Sequence, residues 1–131
     1  MAEKRDGVKI KRAYQPPESS DGYRVLVDRL WPRGVKKEEL RLDEWAKDLA
    51  PSPDLRKWFG HDPARWEEFR QRYKDELASP ERTRILAALA DRTYWGPITL
   101  VYGARDEEHN GAVVVSEVLK GMMDGNRQQV A

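Results

Sequence analysis

The residues able to do chemistry gather in two stretches, 27–34 (VDRLWPRG) and 103–110 (GARDEEHN), each lying where an apolar run gives way to charge. Arg33 and Arg105, one from each stretch, are suited to clamping a phosphate or carboxylate, because a planar guanidinium meets either anion with two parallel hydrogen bonds. His109 is the candidate for proton transfer, and Asp28 and Asn110 for catalysis by orienting a substrate. Arg29 and Trp31 complete the first stretch as ligand-binding positions, and Asp106 the second. Each assignment has a plainer counterpart. Loop arginines pair with nearby acids, and a histidine can be partly exposed with no task. Asp106 suits a helix N-cap, with Glu107 and Glu108 in the first turn, and those acids already occupy the niche in which a helix end would hold phosphate. His61, on a loop between Gly60 and Asp62, either caps locally or reaches the cleft from the helical side.

For the two stretches to meet, the segments that deliver them must be neighbouring parallel strands. In Tyr23–Leu30 the centre, Val25-Leu26-Val27, is apolar on both faces, the pattern of a strand covered by helices on each side. Pro32 and Gly34 then force a turn. Ile98–Tyr102 is the second strand. Several helices lie between them, which is the connection of a parallel crossover, and open α/β sheets bind ligands at the C-terminal ends of their strands.

The intervening chain reads as helices. Leu42, Trp45 and Leu49 recur at helical spacing and predict a helix within Val35–Leu49. A short helix over Asp54–Phe59 closes on Gly60. Asp62-Pro63 and Ser79-Pro80 each place an acceptor at an N-cap and proline at the first helical position. Trp66, Phe69, Tyr73 and Leu77 line one face of the first of these helices, and Ile85, Leu86 and Leu89 one face of the second. The final helix is expected over Glu107–Met123. At the front, Val8, Ile10 and Arg12 alternate with Lys9, Lys11 and Ala13, which predicts a strand with a basic face at a sheet edge.

Composition limits the function. The chain has 131 residues, a length suited to one domain. Its 24 Lys and Arg against 23 Asp and Glu leave a net charge of +1, so no whole-molecule attraction to nucleic acid or anionic lipid is implied. Cysteine is absent, which removes disulfides, thiolate zinc sites and a cysteine nucleophile, and suits the cytoplasm. The two histidines stand far apart, outside any metal-binding spacing, and no dinucleotide, Walker or serine-elbow motif occurs, so neither metal nor cofactor is expected. No apolar run is long enough to span a membrane.

The strings DGYRVLVDRLWPRG, WAKDLAPSPDLRKWFGHDP and ITLVYGARDEEHNGAVVV, in that order, resemble the YeaO-like branch of the domain of unknown function 488 family. The resemblance spans nearly the whole chain. It implies a small cytosolic α/β protein of mostly bacterial and archaeal distribution, with no established activity. It also places the family's recurring polar positions on Asp28, Arg29, Arg33, Lys47, His61, Asp62, Arg105, Asp106, His109 and Asn110. Related branches carry cysteines near the last strand and helix; Tyr102, Gly103 and Ala104 supply none, so a thiol mechanism does not carry over.

Together these readings predict a single three-layer α/β domain over residues 1–131, with a small, largely parallel sheet flanked by helices and frayed ends at 1–7 and 124–131. The expected function is binding of a small anionic ligand, phosphorylated or nucleotide-like, with hydrolase or transferase chemistry as one version. The alternative is a non-catalytic module that binds nucleic acid or protein through the basic edge strand and exposed charged helices. A homo-oligomer is compatible with either.

Overall fold

The computed structural model describes residues 7–130, with side chains described through Asp124. Of the ends expected to fray, residues 1–6 and 131 lie outside the described range. The elements in order are β1 (Val8–Arg12), β2 (Tyr23–Leu26), α1 (Lys37–Leu40), β3 (Glu44–Trp45), α2 (Pro53–Phe59), α3 (Trp66–Leu77), α4 (Pro80–Arg92), β4 (Ile98–Tyr102) and α5 (Gly111–Val130), with short 3-10 turns at Ser19–Asp21, Lys47–Leu49 and Pro63–Arg65. The strands form one sheet in the order β1-β4-β2-β3, and every pairing is parallel. The strand that comes last in sequence is therefore central, and its five residues are all buried.

Period-two alternation divides the core between the two faces of the sheet. Val25, Val27, Ile98, Leu100 and Tyr102 point into the larger cluster, against Leu55 and Phe59 of α2, Phe69, Tyr73 and Leu77 of α3, Leu86 and Leu89 of α4, and Val115 and Leu119 of α5. Leu26 and Val101 point the other way, into a small cluster with Ala13, Leu40 of α1, Trp31, Val35, Leu42 and Trp45. The α/β class is as expected, but the layers are unequal: four helices on one face, one turn of helix and loops on the other.

Charge helps to close the thin face. Asp21 and Arg24 are each 4% exposed, with Arg24 Nη1 2.7 Å from Asp21 Oδ2 and Lys11 Nζ 3.0 Å from Asp21 Oδ1. Arg24 also donates from Nη2 to Leu40 O at 2.8 Å, and Thr99 Oγ1 donates to Asp21 O at 2.7 Å. Burial alone would raise the Asp21 carboxyl. The Glu18 N–H, Lys11 and Arg24 outweigh it and hold the group below its ordinary value.

The capping signals act where they were read. Gly60 ends α2 in the left-handed conformation, and the side chains of Asp62 and Ser79 accept from the backbone N–H groups of Ala64 and Arg82. The Val35–Leu49 helix does not form as expected. Arg41 turns left-handed at φ 50° and stops α1 after one turn. The Asp43 and Ala46 N–H groups then bond Arg24 O at 2.9 Å and Leu26 O at 2.8 Å, so the segment becomes the edge strand β3. Pairing with β2 overrides a local helical pattern. The strand expected to reach Leu30 ends at Leu26, although Val27 N–H still bonds Val101 O at 3.1 Å.

Candidate functional site

The arrangement on which the site hypothesis depended is present: β2 and β4 are parallel neighbours, with Leu26 paired to Val101, so the chain emerges from both strands at one edge. A side chain ties the two exits together. Asp28 Oδ2 accepts the Gly103 N–H at 2.8 Å, and a Cβ built on Gly103 would stand 3.3 Å from that oxygen. Asp28 is partly buried, and burial raises its carboxyl above the ordinary value against the opposing pull of the Gly103 bond, Arg56 and His61. Those influences place Arg56 and His61 around Asp28. His61 is exposed at φ 56°, and it is Asp62, not His61, that caps the following turn.

Arg29 continues from Asp28. Its Nη2 makes a long contact to Pro51 O at 3.4 Å, while its Nε is enclosed and has no hydrogen-bond partner. Asp28 and Arg29 both act electrostatically on Tyr73, a fully buried phenol that burial pushes well above its ordinary value and that donates to Leu49 O. Sequence reasoning missed Tyr73, Arg56 and Arg12 as neighbours of the site. Arg12, the last residue of β1, donates from Nε to Ala104 O at 2.9 Å. Its signal was available, because a third parallel strand must end at the same edge.

Beyond Gly103 the chain makes an extra turn before the helix. Asp106 Oδ1 accepts the N–H groups of Glu108 at 2.9 Å and His109 at 3.0 Å, and its Oδ2 lies 2.9 Å from His109 Nδ1. The Glu108 N–H and then the His109 ring hold the Asp106 carboxyl below its ordinary value. Asn110 Nδ2 donates to Asp106 O at 2.9 Å, and its Oδ1 accepts from Val113 N at 3.1 Å. Asn110 is thus the N-cap of α5. The helix begins at Gly111 rather than Glu107, and Asp106 organises the turn ahead of it. His109 precedes the helix instead of occupying its first turn, and its ring meets the edge of Trp66 at a centroid distance of 5.2 Å. His61 borders the same aromatic wall from Phe59, at 6.4 Å.

The remaining candidates lie toward the thin face. Trp31 belongs to the small cluster, meets Trp45 edge-on at 5.4 Å, and donates to Val35 O at 2.6 Å. Trp45 donates to Asp28 O at 2.8 Å, and Lys47 Nζ sits 4.0 Å over the Trp45 ring. Arg33 is exposed, and its backbone carbonyl accepts from Tyr14 Oη at 3.0 Å. Arg105 is also exposed. The wall of His61, His109 and Trp66 and the loop bearing Trp31 and Arg33 therefore belong to opposite faces, with Asp28 and Arg29 where they converge.

The basic face of β1 is occupied within the molecule. Lys9 Nζ donates to Ser20 O at 2.6 Å, and Lys11 Nζ to Pro16 O, Glu18 and Asp21. Among the described residues no group of three or more His, Asp or Glu side chains could hold a metal ion, and no helix is long and apolar enough to cross a membrane.

A family model described as the inactive DUF488-N3 subclade matches residues 7–130. The chain is 45% identical over 115 residues to the uncharacterized protein YeaO of Escherichia coli, covering 88% of this chain and 98% of that protein. It is 39% identical over 114 residues to the uncharacterized proteins Mb3100c of Mycobacterium bovis and Rv3073c of Mycobacterium tuberculosis, covering 87% of this chain and 94% of each. No solved structure matches.

Proposed function

We propose, because the chain belongs to the DUF488 family in its inactive N3 subclade, that it is a non-catalytic protein that binds a small anion, a phosphate or carboxylate group, at the C-terminal edge of the sheet. The observation that carries the reading is the enclosed Arg29 Nε without a partner. Buried polar groups are nearly always hydrogen-bonded, and a guanidinium N–H left without an acceptor gains from an anionic oxygen. Arg12, Arg56 and Arg105 supply further positive charge from three other segments, and Arg105 is exposed. Asp28 is already held by Gly103, so it sets the geometry of Arg29 rather than reacting.

The description of the family as inactive favours binding over turnover. The acid–base assignment of His109 and the orienting assignments of Asp28 and Asn110 become positioning roles, since Asp106 engages the His109 ring and Asn110 caps α5. Calorimetric titration with inorganic phosphate, AMP and citrate tests the reading. Binding is expected for at least one probe, weakened about tenfold or more by Arg29→Ala and by Arg105→Ala, with no product formed on prolonged incubation. Affinity unchanged from the parent in both variants would remove the site, and turnover lost in His109→Ala would restore an enzymatic role. The nucleic-acid alternative rests on Lys9 and Lys11, whose ammonium groups are both engaged within the chain.

A further inference from the structure

The sheet ends on one side in β3, a two-residue strand with no neighbour beyond it among the described residues. Three surface troughs meet along this edge. One, of about 580 Å³, is lined by Trp31, Arg41 and Trp45 on the thin face. The second, about 510 Å³, lies against Ile85 and Leu89 of α4. The third, about 320 Å³, runs beneath Trp95. The first two share Glu44, the first and third share Asp43, and the second and third share Arg92, so together they form one continuous surface around the strand. Its charged lining is balanced, with four acids and four bases.

We infer that this edge pairs with the same edge of a second copy of the chain, β3 antiparallel to β3, to give a two-fold dimer with a continuous eight-stranded sheet. The order of residues along the edge argues for this partner. Residues 43–47 read Asp-Glu-Trp-Ala-Lys. Antiparallel pairing centred on Trp45 brings the Asp43 end of each copy's β3 towards the end of the other at which Lys47 opens a 3-10 turn, whereas a parallel neighbour of the same sequence would bring like charges together. Apolar exposure follows the same symmetry. Trp95, 87% exposed, borders the trough at the N-terminal end of β3, and Leu30, 61% exposed, follows β2 at the C-terminal end. They are the two most exposed large hydrophobic side chains among the described residues, and an antiparallel two-fold brings the Trp95 end of each copy to the Leu30 end of the other. The balanced charge suits a self-complementary patch and gives no preference for a strongly acidic or basic partner.

Sedimentation velocity on the full chain across the micromolar range tests this. A reversible dimer is expected, together with slower amide exchange at 44–45 as concentration rises. Lys47→Glu and Trp95→Ala, both at exposed positions, should each raise the dimer dissociation constant about tenfold or more with unchanged circular dichroism, while Lys47→Arg and Arg29→Ala leave it in place. A chain that stays monomeric across that range would overturn the inference. So would a dimer indifferent to Lys47→Glu and Trp95→Ala, or one whose formation leaves exchange at 44–45 unchanged.

Discussion

Asp28 and Gly103, 75 residues apart in sequence, are joined by one hydrogen bond of 2.8 Å from the Gly103 N–H to Asp28 Oδ2. The bond closes the junction between β2 and β4 beyond the last rung of their ladder, and it fixes where Arg29 begins. The carboxylate accepts this bond while partly buried, and burial outweighs the bond and the neighbouring positive charges and raises the group above its ordinary value.

That balance predicts the effect of Asp28→Asn. A carboxyl raised in the folded state contributes stability that is present in full below its unfolded value and is lost as pH rises through the folded value. The asparagine keeps an acceptor for Gly103 and never ionises. Urea unfolding is expected to show the variant at least as stable as the parent at about pH 7, with the difference shrinking or reversing near about pH 3. Asp28→Ala instead leaves the Gly103 N–H without its acceptor and is expected to cost ~1–3 kcal/mol.

The Lys11–Asp21–Arg24 group predicts opposite behaviour. Asp21 is held low, so its contribution is present above the unfolded value of 3.8 and is lost as pH falls through the folded value. Lys11 is held high: burial would lower it, but its bonds to Glu18 and Asp21 prevail, and its contribution is lost as pH rises through the folded value. Asp21→Ala strands the Arg24 guanidinium in the thin face and is expected to cost ~3–5 kcal/mol. Thermal melts across the acid range should show that the variant lacks part of the parent's acid sensitivity.

The N-terminal ends of β2 and β4 meet at Gly22 and Pro97. Gly22 has φ +66°, and a Cβ there would lie 2.1 Å from Pro97 O. Gly22→Ala therefore adds backbone strain to a clash with main chain, and a loss well beyond ~1 kcal/mol is expected by chemical denaturation. Gly34 also has positive φ, 79°, but nothing lies within 4 Å of its added Cβ, so Gly34→Ala should be clearly milder.

Asn110 and Asp106 divide the entry to α5 between them. Asn110→Ala removes the acceptor for Val113 N–H and is expected to cost ~1 kcal/mol. His109→Ala removes the second of the groups holding Asp106 low, so the Asp106 carboxyl should titrate closer to its ordinary value in a carbon-13 NMR pH series.

These sites also mark what could be read from residue order. Asp62-Pro63, Ser79-Pro80 and Gly60 act through neighbours two to four positions away, so their roles are visible locally. The adjacency of the strands at Tyr23 and Ile98 followed from connection rules that need no side-chain detail. Glu44–Trp45 was misread because its pattern is helical and only pairing with β2 makes it a strand. The Asp106 turn was misread because two good caps, Asp106 and Asn110, stand four residues apart, and spacing does not rank them. The enclosed Arg29 Nε, on which the anion reading rests, depends on tertiary packing around that side chain and leaves no trace in sequence.

The central position of β4 has a consequence for synthesis. Of the three strand pairings in the sheet, two require residues 98–102, and β1 has no other partner. Until residues 98–102 have left the ribosome, only the short β2–β3 ladder can form, and the apolar faces of β1 and β2 wait for β4. Late closure of such distant contacts slows folding and lengthens the exposure of sticky segments. Truncations that remove β4 should therefore leave an unfolded chain instead of a smaller domain.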